Sequence, residues 1–186
     1  MERLTRTLRD APVVSRDGYH YFVHPVTDGI PLVEPALLRE IAAGVERVTD
    51  LDAIDKILTA EAMGIHHATA VALSADVPFV VARKRQYGFA GEVAVHQATG
   101  YGESELYVNN VEAGDRILLL DDVFSTGGTL TALAEAVAET GATVVDAVVV
   151  IRRTTDEPIE EPPCGVKCLI EVDVVDGEVV ILDEGV

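Results

Sequence analysis

Twelve residues restrict this chain more than any other part of it: Leu118-Leu-Leu-Asp121-Asp122-Val-Phe-Ser125-Thr126-Gly127-Gly128-Thr129. The apolar run that starts at Arg116 and ends on two carboxylates reads as a strand, residues 116–121, covered on both faces. Small residues then turn the chain into a helix over residues 129–140, stopped by Gly141. In an α/β fold such a turn lies at the carboxyl edge of a parallel sheet, where ligands bind. Gly127 and Gly128 let the backbone close on a ligand, the amides of residues 125–129 converge at a helix N-terminus, and Ser125, Thr126 and Thr129 add hydroxyls. Together these favour a phosphate group. Asp121 and Asp122 cannot hold phosphate themselves; they suit sugar hydroxyls, or a Mg2+ ion through water. A ribose 5-phosphate with a metal satisfies both halves. No G-x-x-x-x-G-K-[ST] occurs and no G-x-G-x-x-G follows a strand, which removes the P-loop and Rossmann alternatives.

The rest of the chain alternates in the same manner. Pro35 opens a helix whose apolar residues Leu37, Leu38, Ile41 and Val45 recur at helical spacing, ending near Val48. Strands are predicted over residues 54–59, 78–82 and 143–151, and a helix over residues 64–75. A central parallel sheet covered by helices on both faces follows. Residues 86–110 are polar and glycine-containing, with pieces at 92–96 and 105–108 that read as a β-ribbon or mobile flap. Two further strands, 166–172 and 178–182, join near Asp176-Gly177 in the tail. Residues 1–34 form an N-terminal lead: an amphipathic turn with Leu4 and Leu8, the aromatic stretch Tyr19-His20-Tyr21-Phe22, and a connector rich in Pro and Gly.

At 186 residues and 48% apolar composition the chain suits one domain with a real core. Its longest apolar run is far short of the roughly 18 residues that span a bilayer, and its start lacks a secretory signal, so a soluble cytoplasmic protein without a membrane role is expected. Against 32 Asp and Glu stand 14 Lys and Arg, for a formal charge of −18. That field repels nucleic acid, whose binding rests on neutralising phosphates. Acid excess with only Lys56, Lys84 and Lys167 as lysines resembles the composition of proteins from salt-in halophiles and points to a high-salt cytoplasm. Cys164 and Cys168 make neither a disulfide framework nor a strong metal motif. His66 and His67 point about 100° apart on a helix, cannot chelate one ion together, and read as structural.

Residues 120–129 resemble the PRPP-binding motif of type I phosphoribosyltransferases, and the likeness extends over roughly residues 51–151. Lys56-Ile-Leu-Thr-Ala-Glu61-Ala-Met-Gly64-Ile65 resembles the pyrophosphate-binding loop of the adenine and xanthine branch. Phe79-Val-Val-Ala-Arg83-Lys84-Arg85 is similar to that branch's next strand, and Tyr101-Gly102-Glu103-Ser104-Glu105-Leu106 to its flexible catalytic loop. Length and acidic tail are most like the archaeal hypoxanthine/guanine phosphoribosyltransferase-like group. The resemblance implies a type I phosphoribosyltransferase fold over residues 1–186, with a hood drawn from about 1–34 and 152–186 and a flexible loop at about 86–110.

It further implies transfer of phosphoribose from PRPP to a purine, hypoxanthine or guanine being favoured, with Mg2+ and in a homodimer. Asp121 and Asp122 would hold the ribose hydroxyls, and the metal indirectly, and set negative potential beside the developing cation. Glu61, Ala62, Met63, Gly64, Arg83 and Lys84 would receive the pyrophosphate, with Lys84 also acting in catalysis. Residues 125–129 would receive the 5′-phosphate. Closure of the flap would exclude water.

Two family positions depart from the pattern. An Asp that handles the proton in hypoxanthine/guanine enzymes is Ser125 here, and a Glu that precedes the Tyr-Gly of adenine enzymes is Gly100. Glu103 and Glu105 are the substitutes for the general base, with solvated loop acids as the plain reading. Base recognition falls to residues 21–28, with Thr27 or Asp28 reading the ring edge, and to residues just after Ile151; Tyr21 and Phe22 are equally core candidates. Adenine or xanthine as acceptor, orotate, and a regulator that binds PRPP or nucleotide without catalysis remain alternatives.

Overall fold

The computed structural model describes residues 1–16, 19–99 and 102–185, and of residues 16, 19, 97–99 and 102–104 the backbone alone. The chain opens with α1 (Glu2–Arg9), a hairpin of β1 (Val13–Arg16) and β2 (Tyr19–Phe22), the single turn α2 (Pro25–Asp28) and α3 (Pro35–Val48). Then come β3 (Lys56–Ala60), α4 (Gly64–Ala75), β4 (Phe79–Ala82), and an antiparallel hairpin of β5 (Val93–Thr99) and β6 (Gly102–Val108). The sequence closes with β7 (Arg116–Phe124), α5 (Gly128–Thr140), β8 (Thr143–Arg153), β9 (Lys167–Val175) and β10 (Glu178–Asp183).

Six strands form the central sheet in the order β10-β9-β8-β7-β3-β4. All neighbours are parallel except β10, which returns antiparallel on β9. Alternation within the apolar run of β7 sorts its side chains to opposite faces. Leu118 and Leu120 join Leu4 and Leu8 of α1, Leu37, Ile41 and Val45 of α3, and Ala68 and Val71 of α4. Ile117 and Leu119 join Leu130, Leu133 and Val137 of α5 with Val95, Leu106 and Val108 of the β5–β6 hairpin. The expected sandwich of helices over a parallel sheet is therefore present.

Several boundaries differ from expectation. β7 continues to Phe124 and β8 to Arg153, so the two acids lie inside a strand rather than at its end. The two strands pair in register out to Phe124 opposite Arg152, and that ladder carries β7 past its apolar residues. The lead holds a full helix, α1, where only a turn was expected, because Leu4 and Leu8 are both buried against the sheet face. The hairpin at 93–108 is anchored rather than wholly mobile: the Arg83 and Tyr107 backbones exchange two hydrogen bonds (3.0 and 2.7 Å).

Candidate active site

Strand order reverses between β3 and β7: β4 lies outside β3 on one side, and β8 outside β7 on the other. Crevices at such a switch point are where open α/β sheets bind ligands. The β3–β7 ladder ends at Leu58 opposite Leu119, and beyond it the strands part. Thr59, Gly64 and Asp121 meet in that gap. A Cβ on Gly64 would lie 1.9 Å from Thr59 Oγ1 and 2.8 Å from Asp121 Oδ1, so with these side chains in place only glycine fits there. Thr59 is fully buried and its hydroxyl has no hydrogen-bond partner among the described residues.

Asp121 is buried, and its Oδ1 accepts the Asp122 backbone N–H at 3.0 Å. Burial pushes its carboxyl from the ordinary 3.8 up to about 6. Burial raises Asp122 further, and the neighbouring Asp121 charge adds to it. The pair thus retains a proton more readily than two exposed carboxylates would. Among the described residues no three acids, histidines or cysteines gather in a way that would cage a metal. Two adjacent carboxylates nevertheless fit Mg2+, which keeps water and substrate oxygens as most of its ligands.

The loop from β3 to α4 carries a cis Glu61–Ala62 peptide. Glu61 clasps the end of β4: its carboxylate takes the Arg83 Nε at 2.9 Å and the Lys84 backbone N–H at 2.5 Å. Its side chain is therefore engaged in holding the basic strand end, which leaves its backbone, with those of Ala62, Met63 and Gly64, to meet a ligand. Two of the three lysines are tied structurally, Lys56 to Asp115 at 2.6 Å and Lys167 to Asp146 at 2.5 Å. Lys84 stands exposed beside this loop.

On the other side of the crevice, Ser125, Thr126 and Thr129 are half-buried around the β7–α5 turn. Gly127 has φ +88°, the region that favours glycine. It also lies against main chain that the sequence reading did not place there. A Cβ would fall 1.8 Å from the Glu160 carbonyl oxygen. Glu160 N–H donates to the Thr126 carbonyl at 2.9 Å, and the Thr131 hydroxyl donates to the Glu160 carbonyl at 3.2 Å. The connection between β8 and β9 is thereby strapped along the turn. Arg152 secures it, bonding Glu161 at 3.0 Å and the Val166 carbonyl at 2.9 Å while stacking 4.9 Å from the Phe124 ring. No local signal in the sequence joins residue 160 to residue 127.

The remaining candidates are spread around this centre. Glu105 is exposed on β6 and accepts the Tyr107 hydroxyl at 2.5 Å, which agrees with a solvated loop acid. Gly100, Tyr101 and the side chain of Glu103 lie outside the described residues. Thr27 and Asp28 sit on α2, where Asp28 Oδ2 accepts the Thr27 hydroxyl at 2.6 Å and the His24 N–H at 3.0 Å. Phe22 is in the core. Past Ile151, a polar cavity of about 390 Å³ is lined by Arg153, Thr154, Thr155, Asp156, Glu157 and Asp173.

A phosphoribosyl transferase domain matches residues 33–183, and the chain belongs to that family. It is 58% identical over 185 residues to HGPRTase-like protein 2 of Halalkalicoccus jeotgali, covering 99% of this chain and 98% of the relative. The HGPRTase-like protein of Halobacterium salinarum is 54% identical over 184 residues, again with 99% and 98% covered. Among solved structures, adenine phosphoribosyltransferase from Rhodothermus marinus superposes with a TM-score of 0.69 at 24% identity, over 92% of this chain and 99% of that one. These neighbours bear out the type I phosphoribosyltransferase fold.

Proposed function

We propose that the chain transfers phosphoribose from PRPP to a purine, with hypoxanthine or guanine as acceptor. What carries this reading is the pairing of two unlike turns across one crevice, with Asp121 and Asp122 between them. The β7–α5 turn suits the 5′-phosphate through Ser125, Thr126, Gly127, Gly128 and Thr129, and the β3–α4 loop with Arg83 and Lys84 suits the pyrophosphate. The bond from ribose C1 to the pyrophosphate oxygen breaks, and C1 bonds to a purine nitrogen whose proton leaves. Asp121 and Asp122 hold the ribose hydroxyls and face the positive charge that grows on the sugar, which stabilises the transition state more than the ground state. Lys84 and Arg83 offset charge on the departing pyrophosphate. Asp121 and Asp122 would hold Mg2+ through substrate, and when bound the ion would supply further neutralisation of the pyrophosphate.

The 6-oxopurine choice is supported by the full-length likeness to HGPRTase-like proteins. Adenine is supported by the structural neighbours, one solved with AMP, pyrophosphate and ribose 5-phosphate. A homodimer belongs to this reading, and a groove between α3 and α4 supports it: Leu73 is exposed there, and Leu38, Ala42 and Ile65 line it. A binding protein without catalysis is the second reading, favoured by Ser125 at the family's acid position.

The deciding experiment offers hypoxanthine, guanine, xanthine, adenine and orotate separately, with PRPP and Mg2+ in molar KCl, and separates products by chromatography. Nucleotide from hypoxanthine or guanine is expected; nucleotide from another base reassigns the acceptor. No product from any base, with PRPP still bound calorimetrically, would select the second reading. In an active enzyme, Asp121→Asn with Asp122→Asn lowers turnover by about a thousandfold or more while the fold persists, because the carboxylates that accept from the ribose hydroxyls also carry the countercharge. Unchanged turnover would remove the ribose role.

A further inference from the structure

The mechanism above leaves two buried imidazoles unused. His24 and His67 are 1% and 0% exposed, and both grip the peptide of one residue, Val26. The Val26 N–H donates to His24 Nδ1 at 3.2 Å, and the Val26 carbonyl lies 3.2 Å from His67 Nε2. A carbonyl only accepts, so His67 carries its proton on Nε2, and His67 Nδ1 has no partner among the described residues. His24, accepting at Nδ1, carries its own proton on Nε2, 2.9 Å from the Thr7 hydroxyl of α1. Burial holds both rings neutral, His24 at about 4 and His67 at about 3.

Volume alone does not call for imidazole here, since an apolar side chain would fill the same place. The backbone of α2 does call for it. This helix is a single turn, and the chain leaves it at Gly29 with φ +68°, so the Val26 carbonyl has no helical N–H to bond. His67 supplies that donor from the first turn of α4, the helix that grows directly out of the loop 61–64. A second contact lies at the other end of α2, where Met63 Cε is 3.7 Å from the position of a Cβ on Gly29. The turn bearing Thr27 and Asp28 closes through its own bonds to His24 and Pro25, and His67 ties it to the helix that follows the loop 61–64.

The geometry points to His67 as a positioning residue for the acceptor base, holding the α2 wall of the site to α4 through the Val26 carbonyl. This rests on the reading that α2 borders the base. Calorimetry in molar KCl with IMP, AMP and ribose 5-phosphate tests it on the full chain, the last ligand having the phosphate and sugar but no base. Wild type binds IMP or AMP more tightly than ribose 5-phosphate. His67→Leu weakens that nucleotide about tenfold, as loss of one buried hydrogen bond does, and ribose 5-phosphate by less than about twofold. His67→Gln, whose side-chain N–H reaches the same carbonyl, restores nucleotide binding to within about threefold of wild type. Equal weakening of both ligand types, no weakening, failure of Gln to restore, or a wild type that prefers neither nucleotide over ribose 5-phosphate would overturn the assignment. Should the Leu variant lack a native circular dichroism spectrum, His67→Asn, polar but too short to reach, takes its place with the same expectations. These binding ratios stand apart from turnover, so an inactive wild type would sink the catalytic reading and leave this one measurable.

Discussion

On one side of the crevice a glycine is required by side chains; on the other a glycine is required by main chain. Gly64 faces Thr59 Oγ1 and Asp121 Oδ1, both of which a second substitution can remove. Gly127 faces the carbonyl of Glu160, which every residue at 160 would present. Two strand-to-helix turns that look alike as Gly-containing loops thus differ in what holds them shut. A side-chain obstacle is suppressible and a backbone obstacle is not.

The largest effect is expected at Gly64. Gly64→Ala inserts a methyl group into a filled site and destabilises the fold by about 3 kcal/mol or more, with loss of turnover. Adding Thr59→Ala removes the nearest atom and recovers most of that stability in a urea titration. No recovery would show that the loop backbone, and not Thr59, is the obstacle.

At Gly127 the expected loss is smaller, about 2 kcal/mol for Ala, from the left-handed backbone and from displacement of the strap. Here Glu160→Ala gives no rescue, because the carbonyl remains. Hydrogen exchange reads the displacement directly: the Glu160 amide, protected through the Thr126 carbonyl in wild type, exchanges freely in Gly127→Ala. Rescue by Glu160→Ala would erase the contrast between the two turns.

Asp121, between the turns, shows itself through pH. Its carboxyl titrates higher in the folded protein, about 6, than in the unfolded chain, 3.8. The folded state therefore binds the extra proton, and this contribution to stability is full below the ordinary pKa and lost as pH climbs toward about 6. The stability of wild type minus that of Asp121→Asn therefore falls as pH rises from about 4 through the range in which the Asp121–Asp122 pair gives up its protons. A difference that rises over that window would mean the carboxyl is held charged, by a partner in the crevice.

The alternation of strands and helices, the buried strand 116–121 and the Ser-Thr-Gly-Gly-Thr turn were all legible, because burial on both faces and turn chemistry leave local marks on composition. Residue 84 was marked by the likeness of residues 79–85 to the family's basic strand end. Glu61 was legible as a residue of the loop and as a structural acid, but not its partners, Arg83 and the Lys84 amide, which only the fold brings against it. His67 offered only a histidine in an apolar helix, which marks a core position and not the carbonyl it serves. Thr59 and Glu160 left no mark: one is an ordinary strand residue, the other an acid in a stretch already rich in acids.

The sequence by itself determined the class of fold and the chemistry available at the sheet edge. Strand length, apolar periodicity and small-residue turns act over a few residues, and the energies they report are those of local backbone preference and burial. Only the tertiary structure decided which atoms converge on that edge. Residue 160 meets 127, 121 meets 64, and 67 meets 26 across long stretches of chain, where hydrogen-bond direction and steric exclusion between distant segments set the geometry and no neighbouring residue encodes it.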